Sequence, residues 1–232
     1  MCRAIPHECG DVRCPVPVYR HKNNHLFVNE FGVSLEGLAT GACVNLTHVS
    51  QSVADAVQIS TPRADKGIGA VIRTVDSKEL IDGVRVRPFD VWPDDRGYFL
   101  EVIRMRQGLG QDFVPETTQV SAALSYPGTI KAFHFHKYQT DLWVPAQGMF
   151  QVALVDLRPD SPTFGVKNTM YLGALRPWQV LIPPGVGHGY KVIGEHAGML
   201  VYVTNRLYDP KDEGRIAYND ASIQYDWELQ HK

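Results

Sequence analysis

Gly128-Thr129-Ile130-Lys131-Ala132-Phe133-His134-Phe135-His136 is the stretch from which the fold can be read. A Tyr126-Pro127-Gly128 turn precedes a run of β-favouring residues. Side chains alternate along a strand, so His134 and His136 share one face while Phe133 and Phe135 share the other. Aromatics on one face are packing residues. Two histidines in register on the opposite face, joined by His188 after a Pro-Pro-Gly turn, point to a lined cavity rather than an ordinary surface.

The same texture extends outward. From about Val71, short runs rich in Val, Ile, Phe and Tyr alternate with Pro, Gly and Asp punctuation. This predicts strands over 84–91, 97–104, 117–125, 129–136, 142–145, 149–156, 168–172, 179–182, 188–192 and 198–204. No long helical stretch separates them, which argues against a parallel βαβ fold and for an all-β sandwich or barrel. Residues 1–70 lack sustained periodicity and read as an N-terminal extension, an arm or a partly disordered tail, with a short helix expected over 50–59. Residues 71–232 carry the barrel.

Composition narrows the functions. A net charge of −2 gives no bulk attraction to nucleic acid or an anionic membrane, so an anionic ligand must be held by a local basic site. No run of about 18 apolar residues exists to span a membrane, and the first eight residues lack the apolar core of a secretory signal. A cytoplasmic protein is expected. All four cysteines, Cys2, Cys9, Cys14 and Cys43, lie in the first 43 residues. Cys9 and Cys14 are too far apart for a CxxC redox motif. With His7 and His21 nearby, they read either as reduced thiols or as zinc ligands.

The spacing Gly128, five residues, His134, one residue, His136, four residues, Asp141, six residues, Gly148 resembles the first cupin motif, with Asp where Glu is usual. Pro183-Pro184-Gly185-Val186-Gly187-His188 is similar to the core of the second. A more specific resemblance covers about 94–227. Asp95-Arg96-Gly97-Tyr98-Phe99-Leu100-Glu101, Gly128 to His134, Val155-Asp156-Leu157-Arg158, Ser161-Pro162-Thr163-Phe164-Gly165, Ile182 to Tyr190 and Gly214-Arg215-Ile216-Ala217-Tyr218-Asn219-Asp220 follow one another in the order found in the dTDP-4-dehydrorhamnose 3,5-epimerase family. Tyr202 and Tyr208, six apart, repeat its tyrosine pair.

The resemblance implies a double-stranded β-helix, a jelly-roll barrel of the cupin type, working as a homodimer without a cofactor. It implies a nucleotide-linked 4-keto-6-deoxy sugar as substrate, in dTDP-rhamnose biosynthesis. Such an enzyme removes a proton next to the ketone and returns one to the opposite face. That chemistry needs a base and an acid on opposite sides of the ring. His134 matches the base, a role suited to an imidazole titrating near working pH. Tyr202 matches the acid. Arg96, Glu101, Gln119, Lys131, His188 and Tyr208 match substrate contacts. Lys131 stands where the family usually has Arg; it keeps the charge and loses bidentate geometry.

Three departures stand out. The family's lysine, about ten residues after the base histidine, is replaced by Asp141, whose charge would oppose a developing oxyanion. The family's later aspartate, paired with the histidine, has no clear counterpart; Asp220 and Asp226 are the candidates. Ser121 stands where Asn is usual. Two alternatives follow: a metal-dependent cupin isomerase or oxygenase with His134, His136, Asp141 and His188 as ligands to a divalent ion, and a non-catalytic sugar-nucleotide-binding relative. The sequence leaves open the sugar, the nucleotide and which carbon is inverted.

Overall fold

The computed structural model describes residues 55–228 and, ahead of them, five short strands. Met1–Ser52 is a compact unit of its own. Within it β1 (Arg3–Ala4), β4 (Val18–Arg20) and β5 (Leu26–Val28) form one small sheet, and β2 (Glu8–Cys9) pairs with β3 (Val12–Arg13). The cysteine and histidine reading of this unit lies outside the described residues. So does half of the expected helix at 50–59, and residues 55–59 are not helical.

Val53–Lys232 forms the second unit. Its strands are β6 (Ala70–Val71), β7 (Arg85–Pro88), β8 (Val91–Asp94), β9 (Gly97–Leu100), β10 (Gln119–Ser125), β11 (Ile130–His136), β12 (Asp141–Gln147), β13 (Met149–Asp156), β14 (Lys167–Gly173), β15 (Trp178–Ile182), β16 (Val186–Ile193), β17 (Gly198–Thr204) and β18 (Glu213–Arg215). One sheet has the order β10-β17-β12-β15-β7 and the other β18-β11-β16-β13-β14-β6. From β10 to β18 the chain crosses between sheets at nearly every step, and every pairing in them is antiparallel except β14 with β6. This is the jelly-roll solution to burying two half-apolar sheets against each other.

Alternation fills three layers. Phe150, Val152 and Leu154 of β13 point between the sheets, against Trp143, Val180, Ile182 and Leu200 from the other sheet. Ala153 and Val155 point the other way, under Ile68, Ile223, Tyr225 and Trp227 from segments lying across the outer face. Leu142, Val144, Leu181 and Val203 are covered likewise by Phe89, Leu109 and Phe113. Each fully buried leucine or phenylalanine here is worth about 1.5–3 kcal/mol of transfer free energy. Gly148 makes the turn from β12 to β13 at φ 75°, where a Cβ would stand 2.7 Å from the Ala197 carbonyl oxygen.

The boundary expected at residue 70 falls instead between Ser52 and Val53. Residues 57–64 run along the barrel through backbone hydrogen bonds, from Val57 N to Lys137 O (3.2 Å), Ser60 N to Leu157 O (2.8 Å) and Ala64 N to Ser222 O (2.8 Å). Contacts of this kind leave no hydrophobic period in the sequence. No helix among the described residues is long and apolar enough to cross a membrane.

Candidate active site

A cavity of about 320 Å³ opens between the sheets at one end of the barrel. Lys131, His134 and His136 from β11, His188 and Tyr190 from β16, and Glu213 and Arg215 from β18 line one wall. Gln119 and Ala123 from β10, Asp141 and Trp143 from β12, and Leu200, Tyr202 and Thr204 from β17 line the other. The paired histidines face inward, as their spacing requires, while Phe133 and Phe135 pack on the outer layer. Lys131 joins the histidine face although simple alternation would send it outward. A register shift between Lys131 and His134, where β11 meets β16, supplies the extra residue.

His134 Nδ1 stands 3.4 Å from Glu213 Oε1. Glu213 is fixed in turn by Arg215 Nε at 2.6 Å. Burial lowers the His134 pKa and outweighs the opposing pull of Glu213, so the imidazole is neutral and basic at neutral pH. With Nδ1 turned to the carboxylate, Nε2 carries the free lone pair. Glu213 was not among the expected site residues, though it directly precedes the Gly214-Arg215-Ile216 run that pointed to the family. Asp220 and Asp226, the expected partners of His134, lie elsewhere. Asp220 accepts from Ser222 and Asp226 pairs with Lys66 at 3.6 Å.

Asp141 is buried at the floor with His136 and His188. Its carboxylate accepts from Gln139 Nε2 at 2.7 Å and Trp143 Nε1 at 3.3 Å, and faces His188 Nε2 at 3.6 Å. Burial raises its pKa, and burial lowers those of His136 and, to about 4, His188. The His188 imidazole is therefore uncharged at neutral pH, and its contact with Asp141 is not an ion pair. His136 and His188 stack at 5.6 Å, and Trp143 meets His188 edge-on at 5.1 Å. His134 stands apart from the three, so the expected four-ligand metal set is divided.

Of the expected site residues, His134, Tyr202, Gln119, Lys131, His188 and Tyr208 line the cavity together. Gln119 Oε1 accepts from the Tyr208 backbone N–H at 3.0 Å, tying β10 to the segment after β17. Arg96 and Glu101 do not line it. Arg96 sits at the tip of the β8–β9 hairpin, 84% exposed, paired with Asp94 across its own turn at 2.5 Å. Both oxygens of Glu101 accept from Arg104 Nε, at 2.8 and 3.0 Å, beside a separate cavity. Lys131 supplies a cation to the cavity wall. Arg215 is a second cation on the lining that sequence reasoning passed over.

The family model for dTDP-4-dehydrorhamnose 3,5-epimerase matches residues 78–232. The spore coat polysaccharide biosynthesis protein SpsL of Bacillus subtilis (strain 168) is 43% identical over 155 residues, 66% of this chain and 100% of that protein. The probable low-salt glycan biosynthesis epimerase Agl13 of Haloferax volcanii is 36% identical over 150 residues, 63% of this chain and 94% of that one. The crystal structure of the dTDP-6-deoxy-D-glucose-3,5-epimerase RmlC from Legionella pneumophila Philadelphia 1, in complex with dTDP-4-keto-L-rhamnose, superposes with a TM-score of 0.58 at 25% identity, over 68% of this chain and 84% of that one. With a jelly-roll barrel, an inward histidine on one sheet and an inward tyrosine on the other, the chain belongs to the dTDP-4-dehydrorhamnose 3,5-epimerase family.

Proposed function

We propose that the protein is an isomerase that inverts a carbon next to the ketone of a nucleotide-linked 4-keto-6-deoxy sugar. One observation carries the reading: His134 and Tyr202 line a single cavity from opposite sheets. A sugar ring lying between the sheets would present one face to each. His134, oriented by Glu213, removes the acidic proton through Nε2 and leaves an enolate. Tyr202 delivers a proton to the other face. Groups of this kind each contribute about 10²–10⁴ in rate. The cavity volume lies at the lower end of the range of about 300–1,000 Å³ common for small-molecule sites.

The diphosphate needs cations, since the net charge supplies none. Lys131 and Arg215 are the cations on the cavity wall and take that role in this proposal; Gln119 and Tyr208 contact the rest of the nucleotide sugar. Arg215→Ala is expected to raise KM about tenfold with a smaller effect on kcat, as suits a charge-assisted contact made equally in the ground and transition states. Assembly as a homodimer belongs to the same reading. Exposed Val120 and Leu124 on the edge strand β10, and Trp92 and Phe99 on the β8–β9 hairpin, support it. Neither alternative, a metal-dependent cupin isomerase or oxygenase on the one hand and a non-catalytic binder on the other, draws support from the relatives. NMR of the product formed from a dTDP-4-keto-6-deoxy sugar tests the proposal. Inversion at C3, C5 or both is expected, and recovery of unaltered substrate would refute it.

A further inference from the structure

We propose that Gln139 is a specificity-determining residue whose side-chain oxygen accepts a hydrogen bond from a ring hydroxyl of the sugar; the inference rests on the nucleotide-sugar reading above. Gln139 lies in the turn between β11 and β12 and lines the cavity while only 6% exposed. Both of its amide hydrogens are spent on the protein. Nε2 donates to Asp141 Oδ1 at 2.7 Å and lies 3.1 Å from His136 Nε2, whose lone pair takes the second hydrogen. Oε1 receives no hydrogen bond from the described residues. It is not sealed in the interior either, since His136 Nδ1 is the one buried side-chain nitrogen or oxygen without a hydrogen bond among the described residues. The oxygen therefore opens to the cavity.

Asp141 fixes the direction of the amide. Turned over, the group would set Oε1 2.7 Å from a carboxylate oxygen, acceptor against acceptor. Asp141 is itself held by Trp143 Nε1, at 3.3 Å from its other oxygen. The backbone of the turn is held as well. Asp212 accepts from the N–H groups of Lys137 (2.7 Å), Tyr138 (2.9 Å) and Gln139 (3.1 Å), and Asn205 Oδ1 accepts from the Thr140 N–H at 2.9 Å. Gln139 is thus an acceptor locked in place before a ligand arrives, the arrangement that gives a polar contact its selectivity. Asp141 serves the site by aiming it.

The chemistry of the sugar narrows the partner. An amide oxygen can only accept. In a nucleotide-linked 4-keto-6-deoxy sugar the ketone, the methyl group and the glycosidic oxygen have no hydrogen to donate, whereas the hydroxyls at C2 and C3 do. The diphosphate is an acceptor throughout and is drawn instead to Lys131 and Arg215. Gln119, the other glutamine on the wall, does not duplicate the role. Its Nε2 donates to Ser121 Oγ at 3.1 Å and its Oε1 already accepts from the Tyr208 N–H at 3.0 Å. A sugar without the hydroxyl would leave the Gln139 oxygen covered and unpaired, which costs binding.

The test compares a dTDP-4-keto-6-deoxyhexose with its 2-deoxy and 3-deoxy counterparts on the full-length protein, with Kd read by calorimetric titration and inversion by NMR. Wild type is expected to bind one of the two deoxy sugars about 100-fold more weakly than the parent, and which one it is identifies the hydroxyl. In Gln139→Leu that preference should fall to within about fivefold. The ratio between sugars cancels any general damage to the site, and the wild-type comparison needs no variant. A wild type that binds all three sugars alike, or a Gln139→Leu protein that binds all three more weakly and keeps the preference, would overturn the proposal. Discrimination by a wild type that inverts none of them would support the contact and refute epimerisation. Inversion of all three with equal affinity would do the reverse.

Discussion

In the proposed reaction Glu213 orients a cavity histidine as the base. Its carboxylate meets Nδ1 and leaves Nε2 for the substrate. Glu213→Gln keeps the shape and removes the charge. It should lower kcat about 10–100-fold with little change in KM, measured by steady-state kinetics against a melting curve that shows the fold intact. At this scale the sequence was informative where a residue sits inside a long alternating run. His134 and His136 could be placed on one face because Phe133 and Phe135 mark the other. Glu213 could not be placed, because β18 has only three residues, 213 to 215, and too short a strand shows no period. Asp141 was read as a charge opposing the oxyanion. The structure instead buries it among Gln139, Trp143 and two imidazoles, where burial raises its pKa.

Strands of full length were legible and their edges were not. β13 and β17 have the expected bounds, whereas β6 and β18, two and three residues long, were missed. The register shift in β11 was equally invisible, since nothing in Lys131-Ala132-Phe133 announces a bulge. One family signature proves to serve the fold. Asp156, wholly buried, accepts from Arg158 Nε and Nη2 (both 2.8 Å) and from the hydroxyls of Ser161 and Thr163 (both 2.6 Å), and so ties the turn between β13 and β14. Burial would raise its pKa, but the hydrogen bonds from Arg158, Ser161 and Thr163 outweigh it and the pKa is lowered. A carboxylate depressed in the folded state stabilises fully above its unfolded pKa of about 3.9 and loses that contribution as pH falls through the folded value. Asp156→Asn should therefore cost about 3 kcal/mol at pH 7, with the gap to wild type closing below about pH 4, as read by urea unfolding across that range.

The whole molecule divides into two units, and the family match lies within the second. SpsL aligns over its full length with 155 residues of this chain. Removing residues 1–52 should leave the barrel folded, with Tm changed by less than about 4 °C, the shift that about 1 kcal/mol produces at this size. Sedimentation of the same truncated protein should give the mass of a dimer. In the proposed reaction the barrel's main contribution is placement: two sheets bring His134 and Tyr202 to opposite walls of the same cavity. Deuterium incorporation from D₂O, followed with stereochemical inversion in the same tube, tests that placement most directly. The account predicts that His134→Ala shows neither exchange nor inversion. It predicts that Tyr202→Phe still exchanges the proton on the His134 face while inversion falls by about 10²–10⁴. Wild-type exchange in His134→Ala, or undiminished inversion in Tyr202→Phe, would contradict it.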